Sequence, residues 1–184
     1  GEVMAIGRTF QESFQKALRG LETGIDGLDE RATDLETVRA EIADPGPERI
    51  LYVADAFRLG LSAEDIHHSS NIDPWFLAFI EDLVLEEREI SSASLQSFDQ
   101  PFLRRIKQKG FSDRRIGKLL GVDEFEVRDL RHSFSIRPVF KRVDTCAAEF
   151  DTNTAYMYST YEAPAFGDVD GEARPSDKNK VVIL

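Results

Sequence analysis

The 184-residue chain is 41% apolar and carries a formal net charge of -11, from 34 acidic and 23 basic residues. That apolar content supports a buried core and excludes a chain disordered throughout. The acidic excess works against a nucleic-acid partner, whose affinity comes mainly from counterions released by Lys and Arg.

The single cysteine, Cys146, leaves no internal disulfide to form. No apolar run approaches the ~20 residues that span a bilayer, so the expected setting is cytoplasmic, with no membrane partner. Thr9 followed three residues later by Glu12 has the form of a capping box, and Phe10, Phe14, Ala17, Leu18 and Leu21 recur at helical spacing after it. This predicts a helix ending near Gly20 to Gly24. The acidic, turn-rich TGIDGLDERATD, residues 23–34, reads as a linker and the place of a domain boundary, ahead of a short helix carrying Leu35, Val38 and Ile42.

Pro47 in a first turn, a stripe of Ile50, Leu51, Ala54 and Phe57, and Gly60 as a left-handed stop predict the next helix. Ser62 with Asp65 caps a brief one through Ile66. Asp73 then Pro74 gives the clearest start signal, opening a core helix with Trp75, Phe76, Phe79, Ile80, Leu83 and Val84 on one face and an acidic tail from Glu81 to Glu89. A further helix starts at Asp99 or Gln100, buries Phe102, Leu103 and Ile106, and closes at Gly110. Ser112 and Asp123 then cap two short helices in FSDRRIGKLLGVDEFEVRDLR, residues 111–131.

After Ser133 the pattern changes. SIRPVFKRVDT and TAYMYSTYE are rich in β-branched and aromatic residues and are expected to be extended, as an arm or small hairpin. A Pro- and Gly-containing connector leads to KVVIL, a strand-like run. The expected fold is mostly α, an irregular orthogonal bundle of short helices with extended C-terminal segments. The absence of an initial Met and the open edge of KVVIL favour a fragment of a longer chain.

The spacing in residues 111–131 suits a helix-turn-helix, so a small DNA-binding regulator is the alternative reading. Its second helix, however, opens on Asp123, Glu124 and Glu126, with Asp129 beyond and only Arg128 and Arg131 in opposition, where a groove reader needs cations. Packed scaffolding is the better reading. Arg104, Arg105, Lys107, Lys109, Arg114, Arg115 and Lys118 form the one basic concentration, expected to be a solvated face or a contact for the acidic helix ending at Glu89. His67 and His68 are neighbours and point about 100° apart on a helix, unsuited to a shared metal. A thiol-enzyme reading of Cys146 lacks an activating group, since Asp144 and Glu149 would raise its pKa; a small buried cysteine fits better. No catalytic, cofactor-binding or metal residue is expected.

KRVDTCAAEFDTNTAYMYSTYE, residues 141–162, resembles very closely the end of the helical connection domain in the large subunit of carbamoyl-phosphate synthetase. Lys141, Arg142, Val143, Asp144, Thr145, Cys146, Ala147, Ala148 and Glu149 open that signature. GEVMAIGRTFQESFQKALRGLE resembles the last piece of that subunit's first ATP-grasp half, and NIDPWFLAFIEDLV and KGFSDRRIGKLLGV resemble its connecting helices. The stretches 23–44 and 163–175 are not distinctive.

The resemblance implies an organisation of residues 1–22 as the tail of the preceding ATP-grasp half, 23–46 as linker and short helix, 47–165 as the connection or oligomerisation domain, and 166–184 as the connector into the first strand of the following half. It implies a parent enzyme that makes carbamoyl phosphate from bicarbonate, two ATP and ammonia delivered by a glutaminase small subunit, for arginine and pyrimidine biosynthesis. ATP and magnesium or manganese belong to the parent, outside this segment. The segment itself would join the flanking halves and self-associate as a dimer or larger assembly. Glu2 would border the passage that carries carbamate between the halves.

Overall fold

In a computed structural model the described residues are 2–147, 149–151, 156–162 and 170–181. Among them are eight α-helices: α1 (Phe10–Gly20), α2 (Leu35–Ala43), α3 (Arg49–Arg58), α4 (Ala63–Ser70), α5 (Pro74–Ser92), α6 (Gln100–Gln108), α7 (Asp113–Leu120) and α8 (Glu124–Ser133). The mostly α expectation holds. Side chains of Thr9, Asp34, Ser62, Asp73, Asp99, Ser112 and Asp123 each accept a hydrogen bond from an otherwise orphaned N–H of the helix that follows, each cap contributing about 1 kcal/mol. The helix expected from Pro47 begins two residues later, at Arg49, and the one expected to end at Ile66 continues to Ser70.

Contacts divide the chain into two units, Gly1–Ile136 and Arg137–Leu184. In the first, α5 is central and packs against α1, α3, α4 and α7. It buries Leu77, Ile80, Leu83, Val84 and Ile90, against Leu51, Val53, Ala54 and Phe57 of α3, Ile66 of α4 and Ile116 of α7, among others. Each of these Leu, Ile, Val and Phe side chains contributes about 1.5–3 kcal/mol relative to exposure. The expected aromatic face of this helix needs correction. Trp75 and Phe76 are 54% and 43% exposed, because Leu77 and Ile80, not they, fall on the stripe that continues through Leu83, Val84 and Ile90. Their rings lie against Phe10 of α1, at centroid distances of 5.3 and 5.4 Å.

Residues 23–34, expected as a linker, form no regular element, yet Leu28 is fully buried. The Asp55 carboxylate of α3 accepts from the backbone N–H groups of Arg31 at 2.8 Å and Ala32 at 2.9 Å. The Leu28 carbonyl accepts from Arg58 and Arg115. At the opposite end of α3, Arg49 donates to the carbonyl of Ile42 at 2.8 Å and to that of Ser70, closing the last turns of α2 and α4 with one side chain.

Glycines at two helix contacts, Gly110 and Gly117, are among those that hold close approaches. Gly110 ends α6 at φ +93°, and a Cβ there would stand 2.9 Å from the Glu12 Cα of α1. Gly117 lies against the turn between α7 and α8, where a Cβ would stand 2.7 Å from the Val122 carbonyl oxygen.

The second unit holds strands β1 (Val139–Arg142) and β2 (Met157–Thr160), paired antiparallel with Val139 opposite Thr160 and Arg142 opposite Met157. Both lie in the stretches expected to be extended. On the other edge of β1, Glu172 donates its N–H to the Phe140 carbonyl at 2.8 Å, and its carboxylate accepts from the Arg142 N–H at 2.6 Å. The expected terminal strand falls mainly on residues 182–184, outside the described residues; Lys180 and Val181 carry no strand.

Candidate functional site

Three members of the basic concentration, Arg105, Lys109 and Arg115, pair with carboxylates of α5. Asp82, Glu86 and Glu89 recur at intervals of four and three, so they share one helical face. Arg105 of α6 donates to Glu86 through Nε at 3.0 Å and Nη2 at 2.7 Å, and to Glu89 at 2.7 Å. Lys109, one turn on, reaches Asp82 at 2.8 Å and Glu86 at 2.5 Å. Burial of Lys109 favours loss of its proton, but hydrogen bonds to Asp82 and Glu86 outweigh this and raise its pKa. The contact expected for the acidic helix is thus made within the same copy.

Arg115 is the hub of a deeper set. Its side chain is 0% exposed, and it donates to Glu87 at 2.7 Å, to Asp29 at 3.0 Å, to Glu30 at 3.1 and 3.3 Å and to the Leu28 carbonyl at 3.1 Å. Glu87 also accepts from Arg58 at 2.6 Å, and Arg58 donates to Asp55 at 2.6 Å. Burial alone would lower the guanidinium's pKa; the hydrogen bonds and charges of Glu87 and Glu30 outweigh it and raise the value above that of ordinary arginine. Glu30, for its part, is desolvated but held below the usual carboxylate range by Arg115. At the rim, Arg114 faces Asp26 at 3.3 Å and Lys118 faces Asp29 at 3.1 Å.

Residues 107, 113 and 131 form a second buried set. Lys107 donates to the Phe111 carbonyl at 2.5 Å and to Asp113 at 2.8 Å. Arg131 grips the same carboxylate at 2.8 and 3.1 Å and donates to the Ile136 carbonyl at 2.9 Å. Burial pushes the Lys107 ammonium down to about 8 against the opposing pull of Asp113. Burial would raise the Asp113 pKa, but its bonds to Arg131 and Lys107 lower it.

These bonds decide the helix-turn-helix reading. Arg131, one of two cations available to a recognition helix, is 7% exposed and spent on Asp113. Asp123 and Glu126 form the capping box of α8. Arg128 lies 4.8 Å over the Phe125 ring. Nothing in this helix pair supports DNA binding, and its geometry is that of a packed corner.

The other predicted positions lie in separate units. Glu2 is exposed in the non-regular segment before α1, within the first unit. In the second, Lys141 and Arg142 lie on β1, and Lys141 faces Glu162 at 3.4 Å and Glu172 at 3.8 Å. The Val143 N–H donates to the Tyr156 carbonyl at 2.9 Å. Asp144 accepts from the Cys146 N–H at 2.9 Å, Thr145 Oγ1 lies 4.0 Å from the Cys146 sulfur, and the Glu149 N–H donates to the Cys146 carbonyl at 2.9 Å. Ala147 adopts φ +51°, and Ala148 lies outside the described residues. Cys146 is half-buried, not buried as expected.

His67 shares a hydrogen bond with the Ile72 carbonyl at 2.7 Å. Among the described residues no group of three or more His, Cys, Asp or Glu side chains could hold a metal ion, and no helix is long and apolar enough to cross a membrane.

The ion sets at Arg115 and Arg131 are not among the sequence-based expectations. A signal for them is nonetheless present: Glu87 falls four residues after Leu83 and three before Ile90, a charge on the apolar stripe of α5. The exposed rings of Trp75 and Phe76, clustered with Phe10 and with Phe79 at 4.6 Å from Trp75, are an apolar surface feature of this unit.

Comparison with known proteins places this scaffold. The family model described as carbamoyl-phosphate synthetase large chain, oligomerisation domain, matches residues 2–135. The carbamoyl phosphate synthase large chain of Neisseria meningitidis serogroup A is 60% identical over 184 residues, covering all of this chain and 17% of the relative. The large chain of Ralstonia nicotianae is 56% identical over the same length, and that of Vibrio cholerae 54% identical over 189 residues, again covering 100% of this chain and 17% of each relative. The chain therefore spans about a sixth of the length of the relatives it matches. With the family model matched across the whole helical unit, the chain belongs to the family of carbamoyl-phosphate synthetase large-chain oligomerisation domains.

Proposed function

We infer that these residues are the joint and assembly module of a large chain that, with a glutaminase small subunit, makes carbamoyl phosphate from bicarbonate, two ATP and glutamine-derived ammonia. The observation that carries this reading is the identity of 60% over the full chain to a protein of that name. The pairing of Arg105, Lys109 and Arg115 with carboxylates of α5 supports a scaffolding role, because it ties α6 and α7 to the central helix.

Residues 1–22 are the tail of the preceding ATP-grasp half, 23–46 the linker and short helix, 47–165 the connection domain and 166–184 the lead into the following half. Residues 141–149 mark the exit of the connection domain, and Glu2 borders the carbamate passage. ATP and magnesium or manganese bind in the parts of the parent outside these residues, in the cytoplasm. The segment associates with a second copy, as its family's description implies.

Light scattering on the full-length large chain across micromolar concentrations is the test of assembly, with a dimer or larger species expected. A mass that stays monomeric throughout overturns it. Formation of carbamoyl phosphate by the full-length chain with ATP, bicarbonate and ammonia tests the parent's chemistry separately.

A further inference from the structure

Residues 23–33 make no backbone–backbone hydrogen bond among the described residues, although they cross the face where α3, α5 and α7 meet. Only Leu28 contributes a fully buried apolar side chain there. Ile25 is half-buried, and the remaining attachment is ionic or side chain to backbone, including Arg31 to Glu48 at 2.9 Å. Asp26 faces Arg114, Asp29 faces Arg115 and Lys118, Glu30 faces Arg115, and Asp55 holds the N–H groups of Arg31 and Ala32.

The two ends of this stretch are anchored independently of it. On one side α1 is fixed to the end of α6, where Gln15 donates to the Lys109 carbonyl at 2.9 Å and Arg19 to the Gly110 carbonyl at 2.8 Å. On the other, α2 packs on α3 and α4 and buries Val38 and Ile42. A segment with fixed ends, few apolar contacts and no ladder has the makings of a local opening unit, whose free energy lies below that of the helices around it.

Charge supplies the closing force. Beneath the segment lie Arg58 and Arg115, and at its rim Arg114 and Lys118, four cations against two carboxylates, Asp55 and Glu87. Asp26, Asp29 and Glu30 more than offset that excess of two, while Arg31 of the segment itself pairs outward with Glu48. We propose that residues 25–32 are an electrostatically held strap, which opens as a unit while α1, α3, α5 and α7 stay folded, and which when open bares the guanidinium groups of Arg115 and Arg58. The strap is thus a built-in switch between a covered and an uncovered ion cluster. It does not depend on the enzymatic reading of the parent.

Hydrogen exchange read by mass spectrometry on the full-length large chain tests it, with the bonded amides of Arg31 and Ala32 as reporters and the α5 amides as reference. In the unmodified protein the two reporters are expected to exchange at least about tenfold faster than α5, and faster still in molar salt. In the double variant Asp29→Asn, Glu30→Gln they should speed up by about a further tenfold with α5 unchanged. Reporters protected as strongly as α5, reporters unmoved by the double variant, or α5 accelerating in step with them would each overturn the proposal. Should the double variant fail to fold, the comparison of reporters and α5 in the unmodified protein decides alone, supported by Lys118→Ala, which removes one half-exposed pair.

Discussion

Arg115 Nε and Glu87 Oε1 face each other at 2.7 Å in the interior, with side chains 0% and 5% exposed. Such a pair contributes little net stability when compared with apolar residues of the same volume, but losing one partner strands the other. Glu87→Leu leaves both Arg115 and Arg58 short of a carboxylate, and it is expected to cost about 3–5 kcal/mol. Chemical denaturation of the variant beside the unmodified protein measures it; a loss of less than about 1 kcal/mol would mean that Asp29 and Glu30 suffice.

Lys107 gives stability a basic-side pH dependence. Its folded pKa, about 8, lies below the ordinary 10.5. Below pH 8 both states hold the proton and the burial penalty is fully present. Between about 8 and 10.5 the unfolded chain keeps a proton that the folded chain releases, so this residue's contribution to stability rises with pH, by on the order of 3 kcal/mol in all. Burial drives this shift, Asp113 opposes it, and the charges of Arg131 and Arg19 add to it. The stability difference between unmodified protein and Lys107→Met, followed by denaturation from pH 7 to pH 10.5, should widen in favour of the former. A flat difference would refute a depressed ammonium.

Gly110 and Gly60 separate strain from contact. Both adopt left-handed backbone, at φ +93° and +90°, but only at Gly110 does a Cβ meet a neighbour. Gly60→Ala is expected to cost about 1 kcal/mol from backbone strain alone. Gly110→Ala should cost about 1–3 kcal/mol more, because α1 must move off α6. Equal losses in thermal denaturation would show that α1 gives way freely.

A helix-turn-helix would give Arg128 and Arg131 similar roles; the packing gives them different ones. Arg131→Ala removes the grip on Asp113 and the bond to Ile136, and it should cost about 3 kcal/mol or more. Arg128→Ala gives up only a surface contact with Phe125 and should stay within about 0.5–1 kcal/mol. Denaturation midpoints of the two variants check the contrast.

The helix starts are legible in the sequence because a cap is a local event: Thr9, Ser62, Asp73, Asp99, Ser112 and Asp123 bond to N–H groups two or three residues on, so short windows of sequence contain the whole interaction. The fold class follows from them. Long-range pairing is what escapes. Asp29 meets Arg115 across 86 residues, and no periodicity within residues 23–34 announces that an acidic, turn-rich stretch will be drawn into the interior. The aromatic face of α5 misleads for a related reason. Large rings weigh heavily in a hydrophobic stripe, yet exposure at Trp75 is decided by what packs beside the first turn of α5, which is a tertiary matter.

The scaffolding character of residues 111–131 is legible from charge alone, since acids at the start of α8 are as unsuitable for phosphate as they are suitable for capping. The geometry adds the reason that the cations are no counterweight: Arg115 and Arg131 are already committed inside.

Arg49 spans the ends of two helices, donating from Nε to the Ile42 carbonyl and from Nη2 to that of Ser70. A planar fork of this kind behaves as a gusset plate, fixing an angle between members without adding bulk between them. A lysine, with its freely rotating ammonium on a flexible stem, could reach both carbonyls but would not hold the angle between them. The corner formed by α2, α3 and α4 would then turn as a single stiff piece whenever neighbouring parts of a longer polypeptide pull on it.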